Sequence, residues 1–248
     1  MRAFLTLWRR ELATYFRGPL AYVVTVFFLV VTGFNFWFLI NLLASARGVG
    51  AQVMTQLFGS LFFWIPFLVV VPVLTMRLLA EEWRYGTYET LVTAPITEVQ
   101  VVLAKYAGAL TLFVLMWAPT LSYAYILERF SAESTPMDPG TLMGGYAGTF
   151  LVGGFFLAIG LLCSALTRNQ VVSALACFAM MSLAFIAGFL HYISPNPLVR
   201  EVTGYCSAVA HMLEFSRGII DTRPVVLYVT GTALVLFAAI RALEWRRW

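Results

Sequence analysis

Long apolar runs separated by short polar breaks account for most of the chain. Runs of about 20 apolar residues recur at 20–43, 57–79, 101–127, 142–166, 171–193 and 225–240. As helices they match a hydrocarbon layer of roughly 30 Å. The pattern predicts an all-α membrane protein with six transmembrane helices forming one domain over residues 1–248. Ala44-Ser45-Ala46 behind the first run has the look of a signal-peptidase site. The run before it is longer than the roughly 7–15 residues of a signal core, so the first span is expected to be retained. Pro66 and Pro72 fall inside the second run. Each removes a helix hydrogen bond, which predicts a kink that neighbouring helices must cover.

Residues 1–19 are patterned differently. On a helical wheel Phe4, Trp8, Leu12 and Tyr15 share one side, with Leu5 and Phe16 close by, and Thr6, Arg10, Thr14 and Arg17 share the other. This predicts an amphipathic interfacial helix with its apolar face in the acyl boundary, ended by Gly18-Pro19. A basic flank of the first span is the plainer alternative. The fourth run carries Gly144, Gly145, Gly148, Gly153, Gly154 and Gly160. Such a small-residue face allows close helix approach, with packing inside one chain favoured over a subunit interface. Ser194-Pro195-Asn196-Pro197 stops the fifth run. The segment 194–224 behind it fits either half-helices that re-enter the bilayer or a surface helix at its outer face.

The polar stretch 80–100 is the longest break on the side of the termini. It holds the acidic pair Glu81 and Glu82, then Arg84, and Gly86 interrupts the backbone. Thr87 can cap a short helix over Tyr88–Thr93, roughly 9 Å long, before Pro95 stops it. Thr97 and Gln100 are spaced as a capping box for the third span. The stretch reads either as a solvated inter-span loop or as a docking element through which a soluble partner pushes on the flanking spans.

Composition agrees with the pattern. Of 248 residues, 61% are hydrophobic and 11% charged, far from the roughly one-quarter charged residues of soluble domains. Arg2, Arg9, Arg10, Arg17, Arg77, Arg84, Lys105, Arg168, Arg241, Arg246 and Arg247 would lie on the side of the termini. Arg47, Arg129, Arg200, Arg217 and Arg223 would lie opposite, so both termini are expected to be cytoplasmic. Asn35 and Asn41 read as inter-helix glue, and no acid is expected inside the spans. His191 and His211 have no partner at metal-ligand spacing, and Cys163, Cys177 and Cys206 have no regular spacing. No GxxxxGK[ST] loop occurs, so ATP is not expected on this chain, and nothing in the spans assembles a catalytic cluster.

Three stretches carry a family resemblance: TMRLLAEEWRYGTYETLVTAPITEVQVVLAKYAGAL (Thr75 to Leu110), SALTRNQVVSA (Ser164 to Ala174) and HMLEFSRGIIDTRPVVLY (His211 to Tyr228). With the six-span layout they resemble the membrane subunit of ABC type-2 exporters, closest to the gliding-motility permeases of the GldF type. Trp83-Arg84, Tyr88 and Arg168 depart from that pattern. The resemblance implies a non-catalytic, multi-pass permease of the bacterial cytoplasmic (inner) membrane. It would pair with a second copy or a related permease and be driven by ABC ATPase subunits that hold ATP and Mg, leaving no cofactor on this chain. An accessory membrane subunit with an extracytoplasmic domain is a further implied partner. Glu81, Glu82, Arg84, Gly86, Thr87, Tyr88, Glu89, Thr90, Leu91 and Pro95 would form the ATPase-coupling element. His211, Phe215, Arg217, Gly218 and Asp221 would form an extracytoplasmic gate. Two other tasks fit the same sequence, namely transmission of force to an extracytoplasmic partner without moving a solute, and a passive membrane scaffold.

Overall fold

The computed structural model describes residues 2–43, 49–86, 97–130, 139–193 and 196–246, and every regular element among them is helical. Helix α1 (Arg2–Arg17) precedes α2 (Pro19–Leu43), α3 (Val49–Gly59), α4 (Leu61–Thr75) and α5 (Ala80–Tyr85). Next come α6 (Glu98–Trp117), a 3-10 turn (Ala118–Thr120) and α7 (Leu121–Phe130). The chain continues through α8 (Pro139–Leu166), α9 (Gln170–Ile193), α10 (Pro197–Cys206), α11 (Ala208–Ser216) and α12 (Thr222–Arg246). Among the described residues six stretches are long and apolar enough to cross a membrane: Pro19–Leu42, Leu61–Arg84, Glu98–Arg129, Pro139–Leu166, Gln170–Leu190 and Thr222–Trp245.

Helix α8 is the centre of the bundle. Its most apolar window is 72% buried, against 22% for the span in α9 and 17% for that in α12. Lipid is as apolar as leucine, so close packing rather than escape from water must hold such helices together. The glycines of α8 supply the close approach within this chain. Gly145 faces the ring of Phe58, Gly148 that of Phe215, Gly153 that of Phe113, and Gly160 packs on Thr75. The aromatic rings stack behind them, with Phe28 edge-on to Trp117 at 4.8 Å and Phe63 tilted against Phe67 at 4.9 Å. Polar side chains within the spans bond mainly to their own helix. Thr32, Thr75 and Thr149 each donate to the carbonyl four residues back, which removes their cost in an apolar setting. Asn35 does bridge elements, donating to Ser60 Oγ at 3.2 Å, whereas Asn41 donates to Trp37 O of its own helix.

Element boundaries differ from the apolar runs where local chemistry intervenes. Residues Leu57–Gly59 belong to α3, because Ser60 is extended (φ −74°, ψ 154°) and the long helix starts at Leu61. Pro119, which has no N–H to donate, lies in the 3-10 turn that divides the third stretch into α6 and α7. Helix α12 begins three residues before the sixth apolar run, where Asp221 Oδ1 accepts from Arg223 N at 3.1 Å and caps it.

Candidate functional site

The polar break after the second span is built from both ends. Helix α4 stops at Thr75 and α5 starts at Ala80 with Leu79 at its N-cap, a side chain that cannot accept a hydrogen bond. Ser164 of α8 supplies the cap instead. Its Oγ accepts from Leu79 N and Ala80 N, both at 3.0 Å, and donates to Met76 O at 3.4 Å. One hydroxyl thus meets two of the orphan donors of a helix start. Glu81 and Glu82 stand in the first turn of α5, where the helix dipole favours anions. Gly86 ends α5 with φ +68°, a left-handed conformation suited to glycine. Helix α6 starts at Glu98, and Thr97 accepts from Gln100 N at 3.4 Å, as its spacing predicts. Thr87, Tyr88, Glu89, Thr90, Leu91 and Pro95 lie outside the described residues. Replacing Ser164 with alanine is expected to destabilise the protein by about 1–3 kcal/mol, since two buried N–H groups lose their acceptor. A thermal midpoint in detergent, compared with Ser164→Thr, checks it.

The acidic pair, expected just past the end of the second span, falls within the candidate span Leu61–Arg84 and is divided in the structure. Glu82, inside the second candidate span, turns inward with its side chain 15% exposed. Its Oε1 is 2.8 Å from Lys105 Nζ of α6, and the same ammonium is 2.8 Å from Glu11 Oε1 of α1. Lys105 is 5% exposed and Glu11 17%. A buried ammonium is tolerated only when paired and hydrogen-bonded, and here two carboxylates from different helices provide that. The geometry depends on Gly108, one turn beyond Lys105, where any Cβ would meet Glu11 Cβ at 3.0 Å. Two further bonds fix α1. Trp8 Nε1 donates to Thr111 Oγ1 at 3.2 Å, and Tyr15 Oη donates to Leu74 O at 2.9 Å. The second satisfies a carbonyl at the end of α4 that the broken helix leaves over. Burial, with Glu11 nearby, pushes the Tyr15 hydroxyl far above its usual range, so it stays a donor.

The side of α1 that carries Trp8, Glu11 and Tyr15 therefore docks on α6 and α4, where it was expected in the acyl boundary. The large apolar side chains that α1 leaves exposed are Leu5 and Phe16. Glu81 is half-buried, while Arg84 and Gly86 are exposed at the end of α5. Sequence reasoning counted Lys105 only as charge, passed over Glu11, took Tyr15 as apolar and quoted Ser164 only within a motif. Two signals were available: an acid among Trp8, Leu12 and Tyr15, and a lysine within the apolar third run.

The second predicted cluster forms around α11. Ser207 caps α11, accepting from Ala210 N at 3.2 Å. His211 is buried and its Nδ1 lies 3.0 Å from Tyr228 Oη of α12. Phe215 is buried against Gly148. Gly218, at φ +77°, packs on the backbone of Gly140 and Thr141, Asp221 caps α12, and Arg217 is exposed. The structure thus brings His211, Phe215, Gly218 and Asp221 to the α8–α11–α12 junction and leaves Arg217 outside. Among the described residues no group of three His, Cys, Asp or Glu is placed to hold a metal.

Burial holds the His211 imidazole below its ordinary pKa, against the opposing pull of Glu214 and Asp221. With the folded value depressed, the neutral ring contributes its full stability above the unfolded value of about 6.5 and loses it as pH falls below that. The thermal midpoint is expected to drop between pH 7.5 and pH 5.5, and His211→Gln should lose that part of the drop.

A family model described as ABC-2 type transporter matches residues 2–220. The match takes in α1, the Glu11–Lys105–Glu82 cluster, the Ser164 cap and the whole of α11. A comparison with curated proteins gives no match.

Proposed function

Because the chain belongs to the ABC-2 type transporter family, as a multi-pass membrane permease component, we propose that it couples ATP hydrolysis in partner subunits to movement of its own spans. The family implies ATPase subunits in the complex. On this reading α5 and residues 87–95 dock on the ATPase, with Glu81 and Arg84 at the contact and Glu82 turned away as an internal anchor. The observation that carries it is Lys105 held between Glu11 and Glu82. That cluster ties α1, α5 and α6 together at both ends of the short segment 87–96. A push on the segment then reaches the second and third spans together with α1, with no slack between them.

The same reading places both termini and the coupling segment in the cytoplasm of a bacterium, with α1 lying along the inner face of the inner membrane. It places the α10–α11 pair on the far side, where His211, Phe215 and Gly218 would respond to tilting of α8 and α12. Pairing with a second permease, kinship with the GldF-type gliding-motility permeases and an accessory extracytoplasmic subunit belong to the same proposal. Purification from the native host in mild detergent tests it. The native chain is expected to bring down an ATPase stoichiometrically, and Tyr88→Cys is expected to cross-link to that ATPase. A variant with residues 87–93 replaced by Gly and Ser should lose it. A folded preparation that holds no ATPase, or holds it equally in both forms, sinks the reading.

A further inference from the structure

A cavity of about 320 Å³ opens between α1, the start of α2 and the junction of α4 with α5. It is amphiphilic in a particular way. Leu20 lines it at the start of the first candidate span and Leu78 within the last two turns of the second, so its apolar wall lies near the membrane boundary. Arg10, Arg77 and Glu81 line the polar wall. Behind them Glu11, Glu82 and Lys105 are committed to one another. Among the described residues none of Arg10, Arg77 and Glu81 has an ion-pair partner within 4 Å.

The charge balance selects the ligand. Two guanidinium groups with no carboxylate at ion-pair distance among the described residues suit a phosphate, which they can grip with several donors each. A simple anion would leave Glu81 and the extra carboxylate of the Lys105 cluster facing it unmatched. Counted together, the lining charges cancel, as they do in a group carrying one phosphate and one ammonium. We propose that this cavity binds the zwitterionic phosphodiester headgroup of a membrane phospholipid. Arg10 and Arg77 hold the phosphate, Glu81 receives the ammonium, and the glycerol portion runs along Leu20 and Leu78. The volume lies within the range of ligand sites. The site shares Glu81 with the proposed ATPase contact, but Arg10, Arg77, Leu20 and Leu78 lie outside that contact, so lipid binding by the purified chain without ATPase separates the two readings.

Native mass spectrometry of delipidated protein in detergent tests it, with phosphatidylethanolamine, phosphatidylglycerol and soluble glycerophosphoethanolamine as probes. Phosphatidylethanolamine is expected to bind in preference to phosphatidylglycerol. Arg10→Ala with Arg77→Ala should weaken that binding about tenfold, whereas Arg9→Ala with Arg17→Ala, an equal change of charge at exposed residues off the cavity wall, should not. Arg10→Lys with Arg77→Lys should retain part of it and guards against a folding defect. Glu81→Gln should narrow the preference between the two lipids. Equal binding by the Arg10→Ala, Arg77→Ala variant and the Arg9→Ala, Arg17→Ala control overturns the site. Displacement by glycerophosphoethanolamine at equal concentration overturns the lipid as ligand. An unchanged preference in Glu81→Gln overturns the ammonium contact.

Discussion

Lys105→Met is expected to destabilise the protein by about 3–5 kcal/mol, the largest effect of any single change near the candidate site. The lysine is 5% exposed and lies 2.8 Å from each of two carboxylates. Removing it does not merely delete two ion pairs. It leaves Glu11 and Glu82 buried, near each other and without the cation that offset their desolvation. Either both take up protons or α1 lifts from α6 to hydrate them. Unfolding in detergent, followed by intrinsic fluorescence against denaturant or temperature, reads the loss. The sharper test is the triple variant Lys105→Met, Glu11→Gln, Glu82→Gln. If the damage comes from uncompensated charge, neutralising both acids should recover much of the stability while still abolishing coupling to the ATPase. A single lysine variant as stable as the native chain would mean that the cluster holds nothing together.

Gly144→Ala is the second large effect, expected to cost about 1–3 kcal/mol or more through overpacking. A Cβ at this position would overlap the carbonyl oxygen of Phe215 and come within 3.2 Å of Gly218 Cα. Both are backbone atoms, so no side-chain rotation relieves the clash and α11 has to move off α8. Gly33→Ala is the matched control. Its Cβ would meet only the Tyr123 hydroxyl at 3.5 Å, an ordinary contact, and alanine in place of glycine favours a helix by up to about 1 kcal/mol. Besides stability, the labelling rate of a cysteine introduced at Ala208, a buried residue of α11, reports undocking. Faster labelling with Gly144→Ala and no change with Gly33→Ala is the expected pair of results. Equal rates in both would mean that the α8–α11 contact tolerates extra volume and does not fix the outer layer.

These two positions also divide what can be read from the chain. The glycine face of α8 was visible as a spacing of small residues, and packing within one chain was the favoured reading. Its partners on α11, α3, α6 and α4 were not visible, because nothing in the spacing says which helix comes near. The local signals at Gly86 and Thr97 read correctly for a simple reason: a left-handed cap and a hydroxyl cap act within a few residues of themselves. Ser164 is the contrary case. It caps α5 from 84 residues away, and a lone serine at the end of an apolar run looks like any other.

The sequence by itself determined the class of protein and the position of its spans, because bilayer thickness converts directly into apolar run length. It also marked the break after the second span as the place where polar chemistry collects. Only the tertiary structure decided that Glu82 turns inward while Glu81 faces a cavity, that Lys105 is the hub, and that α1 docks through Glu11 and Tyr15. The physical reason is the solvent. A span surrounded by lipid is apolar on every side, so its sequence carries little of the periodicity that in a water-soluble helix marks the face turned to its neighbours. The rotation of each helix, and with it the meeting of charges 94 residues apart, is set by close packing at glycines such as Gly108 and Gly144, which depends on all the helices at once.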